Sequence, residues 1–181
     1  MVVKSDGSIW FTDPHYGIMS DYEGHKAERE QDGNYVYRVD PKSGKLAVAV
    51  DDFVKPNGLA FSPDESILYI ADSAVSHDPE GPSHIRSFKV GKDGTLKGGK
   101  VFATTDGIPD GLRVDTNGNV WTSAGAGINV YASSGDLLGR IRFPHNVANL
   151  CFGGPKRNRI FVPCTNELYS FYVTATGVKG G

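Results

Sequence analysis

Short apolar runs broken by polar turns fill this chain from end to end, and no stretch carries a helical period. Four segments repeat one arrangement of apolar strand, polar turn and second apolar strand: VVKSDGSIWFTD (2–13), GLAFSPDESILYIAD (58–72), GLRVDTNGNVWTS (111–123) and NLCFGGPKRNRIFVPC (149–164). With Trp10, Tyr69, Trp121 and Phe161 taken as equivalent, the unit recurs at intervals of roughly 40 to 60 residues. Between these hairpins lie further strand pairs. NYVYRVD (34–40) and KLAVAVDDF (45–53) flank PKSG, and HIRSFKV (84–90) and KGGKVFAT (97–104) flank GKDGT. GINVYAS (127–133) and DLLGRIRF (136–143) flank a Ser-Gly turn, while ELYSFYV (167–173) opens a last pair. Alternation through Tyr35-Val36-Tyr37-Arg38-Val39 has the period of a half-buried strand. The polar stretch DYEGHKAEREQDG (21–33) lacks an apolar stripe and reads as a long loop leaving the first hairpin. AGAG (124–127) reads as a tight strand connection.

Short strands repeating at this period predict an all-β chain, a β-propeller with about four blades of four antiparallel strands. The blades are expected at roughly 1–53, 54–104, 105–143 and 144–181 of a single domain. A β-sandwich also uses many short strands, but it has no reason to repeat one hairpin with one turn chemistry.

Composition narrows the partners. The chain has 181 residues, 39% hydrophobic and 22% charged, with 23 Gly and 10 Pro, the profile of a turn-rich globular protein. A net charge of −2 with no Lys/Arg run argues against nucleic acid. No apolar run is long enough for a membrane span, and MVVKSDGSIWF carries no apolar signal region, so a cytoplasmic location is expected. Cys151 and Cys164, each in an apolar run without ligand spacing, are both expected to be buried thiols.

In a propeller the first strand of each blade lines the central channel, so residues at its start converge from successive blades. Asn57, in KPNGLAF, and Asp110, in IPDGLRV, occupy the same phase, each after a proline. An amide and a carboxylate oxygen at one channel mouth suit a hard cation such as calcium. Read as residues alone, Pro-Asn-Gly and Pro-Asp-Gly are equally good turn tripeptides, and a turn needs no metal. His25, His77, His84 and His145 share no ligand spacing and read as solvated or structural. No G-x-S-x-G or phosphate-binding loop competes.

The runs SDGSIWFTDPHYGI (5–18), KPNGLAFSPDESILYIADS (55–73), IPDGLRVDTNGNVWTS (108–123) and VANLCFGGPKRNRIFV (147–162) resemble consecutive blades of the gluconolactonase/senescence-marker-protein (regucalcin) family. The resemblance implies a six-bladed propeller with a divalent cation in the axial channel, calcium foremost, zinc or another metal as alternatives. It assigns Asn57 and Asp110 as metal ligands, and Asp110, the carboxylate of the pair, is also the candidate general base. The family's ligand glutamate has no counterpart in this sequence, and a partial propeller truncated at the amino end is expected. The implied reaction is hydrolysis of a sugar lactone to the aldonic acid, with no organic cofactor. Asp13, His15 and Tyr16, in the loop leaving the first hairpin, are the implied substrate-binding candidates, and Asp72 is a weaker one. A non-catalytic propeller scaffold and a related esterase or phosphotriesterase are the alternatives. Unpaired strand edges on the terminal blades predict self-association.

Overall fold

The computed structural model describes residues 1–22 and 24–179. They form four antiparallel sheets, each a meander whose strands pair in chain order. The first holds β1 (Val2–Val3), β2 (Ile9–Asp13), β3 (Asn34–Val39) and β4 (Leu46–Phe53). The second holds β5 (Pro56–Phe61), β6 (Ile67–Asp72), β7 (His84–Val90) and β8 (Leu96–Thr104). The third holds β9 (Pro109–Val114), β10 (Val120–Ala124), β11 (Gly127–Tyr131) and β12 (Leu137–Arg142). The fourth holds β13 (Cys151–Gly153), β14 (Arg159–Cys164) and β15 (Glu167–Tyr172), three strands among the described residues where four were expected.

The repeat exists because each sheet must cover one apolar face with its successor. Trp10 packs edge-on against Phe61 of the second sheet, with ring centroids 5.9 Å apart. Tyr69, one sheet on, joins a cluster with Leu112, Val114 and Val120 of the third. Trp121 meets Phe152 of the fourth at 5.4 Å, beside Leu150 and Ile160. All three aromatics are buried, whereas Phe161, at the same phase in the last sheet, is half exposed.

The turn joining the first two strands of each sheet follows from its polar residues. Asp6 Oδ1 accepts from the backbone N–H and hydroxyl of Ser8, and Asp64 Oδ1 does the same for Ser66. Asp115 Oδ1 accepts from the backbone N–H groups of Asn117 and Asn119. Each of the four turns has a left-handed residue: Gly7 (φ 86°), Glu65 (57°), Gly118 (83°) and, in the last turn, both Gly154 (79°) and Arg157 (48°). Glycine meets that demand without strain. Glu65 is held there by Ser5 and Lys4, which donate to its carboxylate from the first sheet.

Two further expectations change. A single helical turn, α1 (Tyr16–Met19), follows the first hairpin, and four residues are too few to show a period. Residues 20–33 are otherwise irregular, as expected, with Glu23 outside the described residues. Cys164 is buried but Cys151 is exposed, because β13 is an edge strand of the last sheet and nothing described covers that residue. Among the described residues no helix is long and apolar enough to cross a membrane.

Candidate functional site

Pro-Asn-Gly and Pro-Asp-Gly are not turns. Both lie inside inner strands, and both occupy a β-bulge in the same register. Pro56 pairs with Asp72 and Leu59 with Ile70, so Asn57 and Gly58 together oppose Ala71. Pro109 pairs with Ala124 and Leu112 with Thr122, so Asp110 and Gly111 together oppose Ser123. One extra residue in the strand breaks its alternation and re-aims a side chain. Asn57 and Asp110 are thereby turned out of the sheet, both half-buried, into one cleft of about 520 Å³.

Glycine lets the two bulges nest. A Cβ added at Gly58 would lie 2.0 Å from the Asp110 carbonyl oxygen, so the two inner strands touch backbone to backbone beside the cleft. At Gly111 it would meet the Asn149 side chain at 2.2 Å. Hydroxyl groups tie each second strand to the next inner strand. Thr12 donates to the Asn57 carbonyl (2.9 Å) and Ser123, at the same phase two sheets on, donates to that of Ala148 (3.2 Å). The intervening sheet has Ala71 at that phase, and there Ser73 donates instead to the Pro109 carbonyl.

Tyr16 forms another wall of the same cleft. Its hydroxyl lies 3.4 Å from the Ser73 carbonyl and 3.2 Å from Ser76 Oγ. Burial pushes the Tyr16 hydroxyl above its ordinary value, and the charges of Asp110 and Asp72 add to that shift, so the phenol keeps its proton at neutral pH. Beneath it the buried Lys55 places its ammonium 4.5 Å from the Tyr16 ring centroid and 3.0 Å from Met19 Sδ. Burial, reinforced by Arg29, holds Lys55 below the usual ammonium value. Its setting is the face of an aromatic ring, a favourable site for a cation.

The remaining candidates lie elsewhere. Asp13 and His15 line a second cleft of about 380 Å³ under the 20–33 loop. There Gln31 Nε2 donates to Asp13 (2.8 Å), and His15 Nδ1 lies 2.9 Å from Asn34 Oδ1. Asp72 is buried and structural, accepting from the backbone N–H groups of Val54, Lys55 and Ala74. Among the described residues no three His, Cys, Asp or Glu side chains form a metal-holding group. Asn57 and Asp110 supply two hard oxygen donors, a chemistry that fits part of a divalent-cation set. Sequence reasoning passed over Lys55, Ser76 and Ile108 and read His77 as solvated or structural, yet all four lie at the cleft or directly beneath it. The signal available for Lys55 was its place just before Pro-Asn-Gly. Ser76 and His77 carried none, because their position depends on the 3-10 turn Ala74–Ser76.

A model of the SMP-30/gluconolactonase/LRE-like region matches residues 1–166. A gluconolactonase of Zymomonas mobilis is 32% identical over 179 residues, covering 91% of this chain and 47% of that protein. A solved structure of a putative gluconolactonase superposes with a TM-score of 0.88 at 36% identity, covering 98% of this chain and 58% of the other. A gluconolactonase structure from Xanthomonas campestris gives 0.84 at 39% identity, covering 93% and 54%. The fold is also that of a calcium-binding regucalcin from Agrobacterium tumefaciens, at a TM-score of 0.73 and 22% identity, covering 99% and 61%. The chain spans about half the length of the curated relatives it matches.

Proposed function

The chain belongs to the SMP-30/gluconolactonase/LRE-like family, and on that premise we propose that its cleft hydrolyses a sugar lactone to the aldonic acid. One observation carries the reading. Two adjacent sheets use the same bulge to turn an amide and a carboxylate into one cleft. A scaffold has no need of that pairing. Relatives that span most of this chain are named gluconolactonase and lactonohydrolase, which favours lactones over other esters.

Asn57 and Asp110 would hold a divalent cation, and calcium is our choice because both donors are hard oxygens. Such an ion supplies Lewis-acid polarisation of the lactone carbonyl. Asn57, being neutral, orients and never exchanges a proton. Asp110 takes a proton at a carboxylate oxygen from the water that attacks the carbonyl carbon. The acyl bond to the ring oxygen then breaks, and that oxygen gains a proton to become the hydroxyl of the aldonic acid. Of the residues expected to meet substrate, the proposal keeps Tyr16, which shares the cleft. Asp13 and His15 are held by Gln31 and Asn34 in the neighbouring one.

The test is acid release from glucono-δ-lactone in calcium, compared with aryl ester and phosphotriester hydrolysis. Asp110→Asn is expected to lower lactone turnover about 100-fold, equivalent to ~2.7 kcal/mol of barrier. Preference for aryl esters or phosphotriesters, or lactone turnover indifferent to Asp110, would sink the proposal.

A further inference from the structure

The cleft has a wall of which the proposal above uses Tyr16 alone. Tyr16 OH, Ser76 Oγ and His77 form a chain, with 3.2 Å between the two hydroxyl oxygens and 2.7 Å from Ser76 Oγ to His77 Nδ1. The Tyr16 and His77 rings also stand against each other, centroids 5.4 Å apart at 45°. All three residues line the cleft that holds Asn57 and Asp110. His77 is exposed, and its Nε2 has no hydrogen-bond partner among the described residues.

Two proton arrangements are compatible with this chain. In one, Tyr16 donates to Ser76, Ser76 donates to Nδ1, and His77 presents an Nε2–H donor. In the other, Nδ1–H donates to Ser76, Ser76 donates to Tyr16, Tyr16 donates to the Ser73 carbonyl, and Nε2 becomes an acceptor. Lys55 under the Tyr16 ring holds the chain in place in both. A group that switches between donor and acceptor without moving an atom heavier than hydrogen matches a ligand hydroxyl, which also does both. A carbonyl or ether oxygen, which only accepts, uses one arrangement alone.

We infer that Tyr16, Ser76 and His77 form a hydroxyl-recognition element that makes the cleft selective for polyhydroxylated ligands. His77 Nε2 touches a ligand hydroxyl, Ser76 is a positioning residue that sets the ring's orientation and tautomer, and Tyr16, besides meeting substrate, supports that setting through Ser76. The identity of the ligand, a hydroxylated lactone or its ring-opened aldonate, rests on the hydrolase reading. A site built to hydrogen-bond a hydroxyl discriminates strongly against the analogue lacking it, because its own polar groups are then left unpaired.

The experiment compares kcat/KM for glucono-δ-lactone and δ-valerolactone, which share a ring but not its hydroxyls, and measures gluconate binding by calorimetry. Ser76→Ala and His77→Ala are each expected to lower the ratio of the two kcat/KM values about tenfold, mainly through KM, and to weaken gluconate binding about tenfold. Ser76→Thr, which keeps the hydroxyl, is expected to restore both to within about threefold of wild type. A ratio and a gluconate affinity that stay at wild-type levels in Ser76→Ala and His77→Ala would overturn the inference, as would a wild type that does not bind gluconate. A wild type that binds gluconate in a Ser76-dependent way yet hydrolyses neither lactone would remove the hydrolase reading and leave the recognition element standing.

Discussion

The junction between the second and third sheets and the outer face of the fourth are built from one repeat, yet they differ in what covers them and in what they present. At the junction, Gly58 lies against the Asp110 carbonyl, Tyr69 is buried under the third sheet, and Asn57 and Asp110 line one cleft. In the fourth sheet the positions equivalent to Asp110 and Gly111 are Ala148 and Asn149, both exposed, and Cys151 beside them is exposed too. β15 carries Leu168 and Tyr172 at 71% and 72% exposure. The backbone unit is therefore reused while the chemistry is not. The proposed function sits where oxygen-bearing residues occupy the bulge and a following sheet encloses them.

Burial gives the sharpest contrast. Trp10→Ala, under a following sheet, is expected to cost about 3–5 kcal/mol, and Phe161→Ala, at the same phase with no following sheet among the described residues, roughly 1 kcal/mol, read from urea unfolding. Equal losses would break the comparison. Next comes Gly58→Ala, whose added Cβ would press on the Asp110 backbone. A loss of about 1–3 kcal/mol is expected, whereas Gly139→Ala, with nothing within 4 Å, is expected to be neutral. The smallest effect is in pH. Burial, helped by Arg86 and opposed by Asp72, pushes His84 in the second sheet below the usual imidazole value. The unfolded chain then binds a proton that the folded one refuses. Stability should fall as pH drops from the ordinary imidazole range toward the lowered folded value, and His84→Gln should flatten that slope in thermal melts.

Much of this was legible in the residues. The recurring aromatics and polar turns announced the sheets, because strand period and turn chemistry are local properties. The family resemblance, carried by motifs spread along the chain, is borne out by the match to residues 1–166. The bulges were hidden, since Pro-Asn-Gly has the composition of a turn and the extra residue shows only when the partner strand is counted. Cys151 looked buried because its apolar run says nothing of whether a further sheet follows. Ser76 and His77 were invisible as cleft residues, because the contact that matters reaches back 60 residues to Tyr16.

The central claim is that Asn57 and Asp110 act together on one ion. The most direct measurement is the melting transition of the wild type, Asn57→Ala and Asp110→Asn across a calcium titration against chelator. Calcium at about 100 times its dissociation constant should stabilise the wild type by ~2.7 kcal/mol and raise its Tm, while neither variant responds at the same concentration. Wild-type melts that superimpose with and without calcium, or a variant that shifts as far as the wild type, would contradict it.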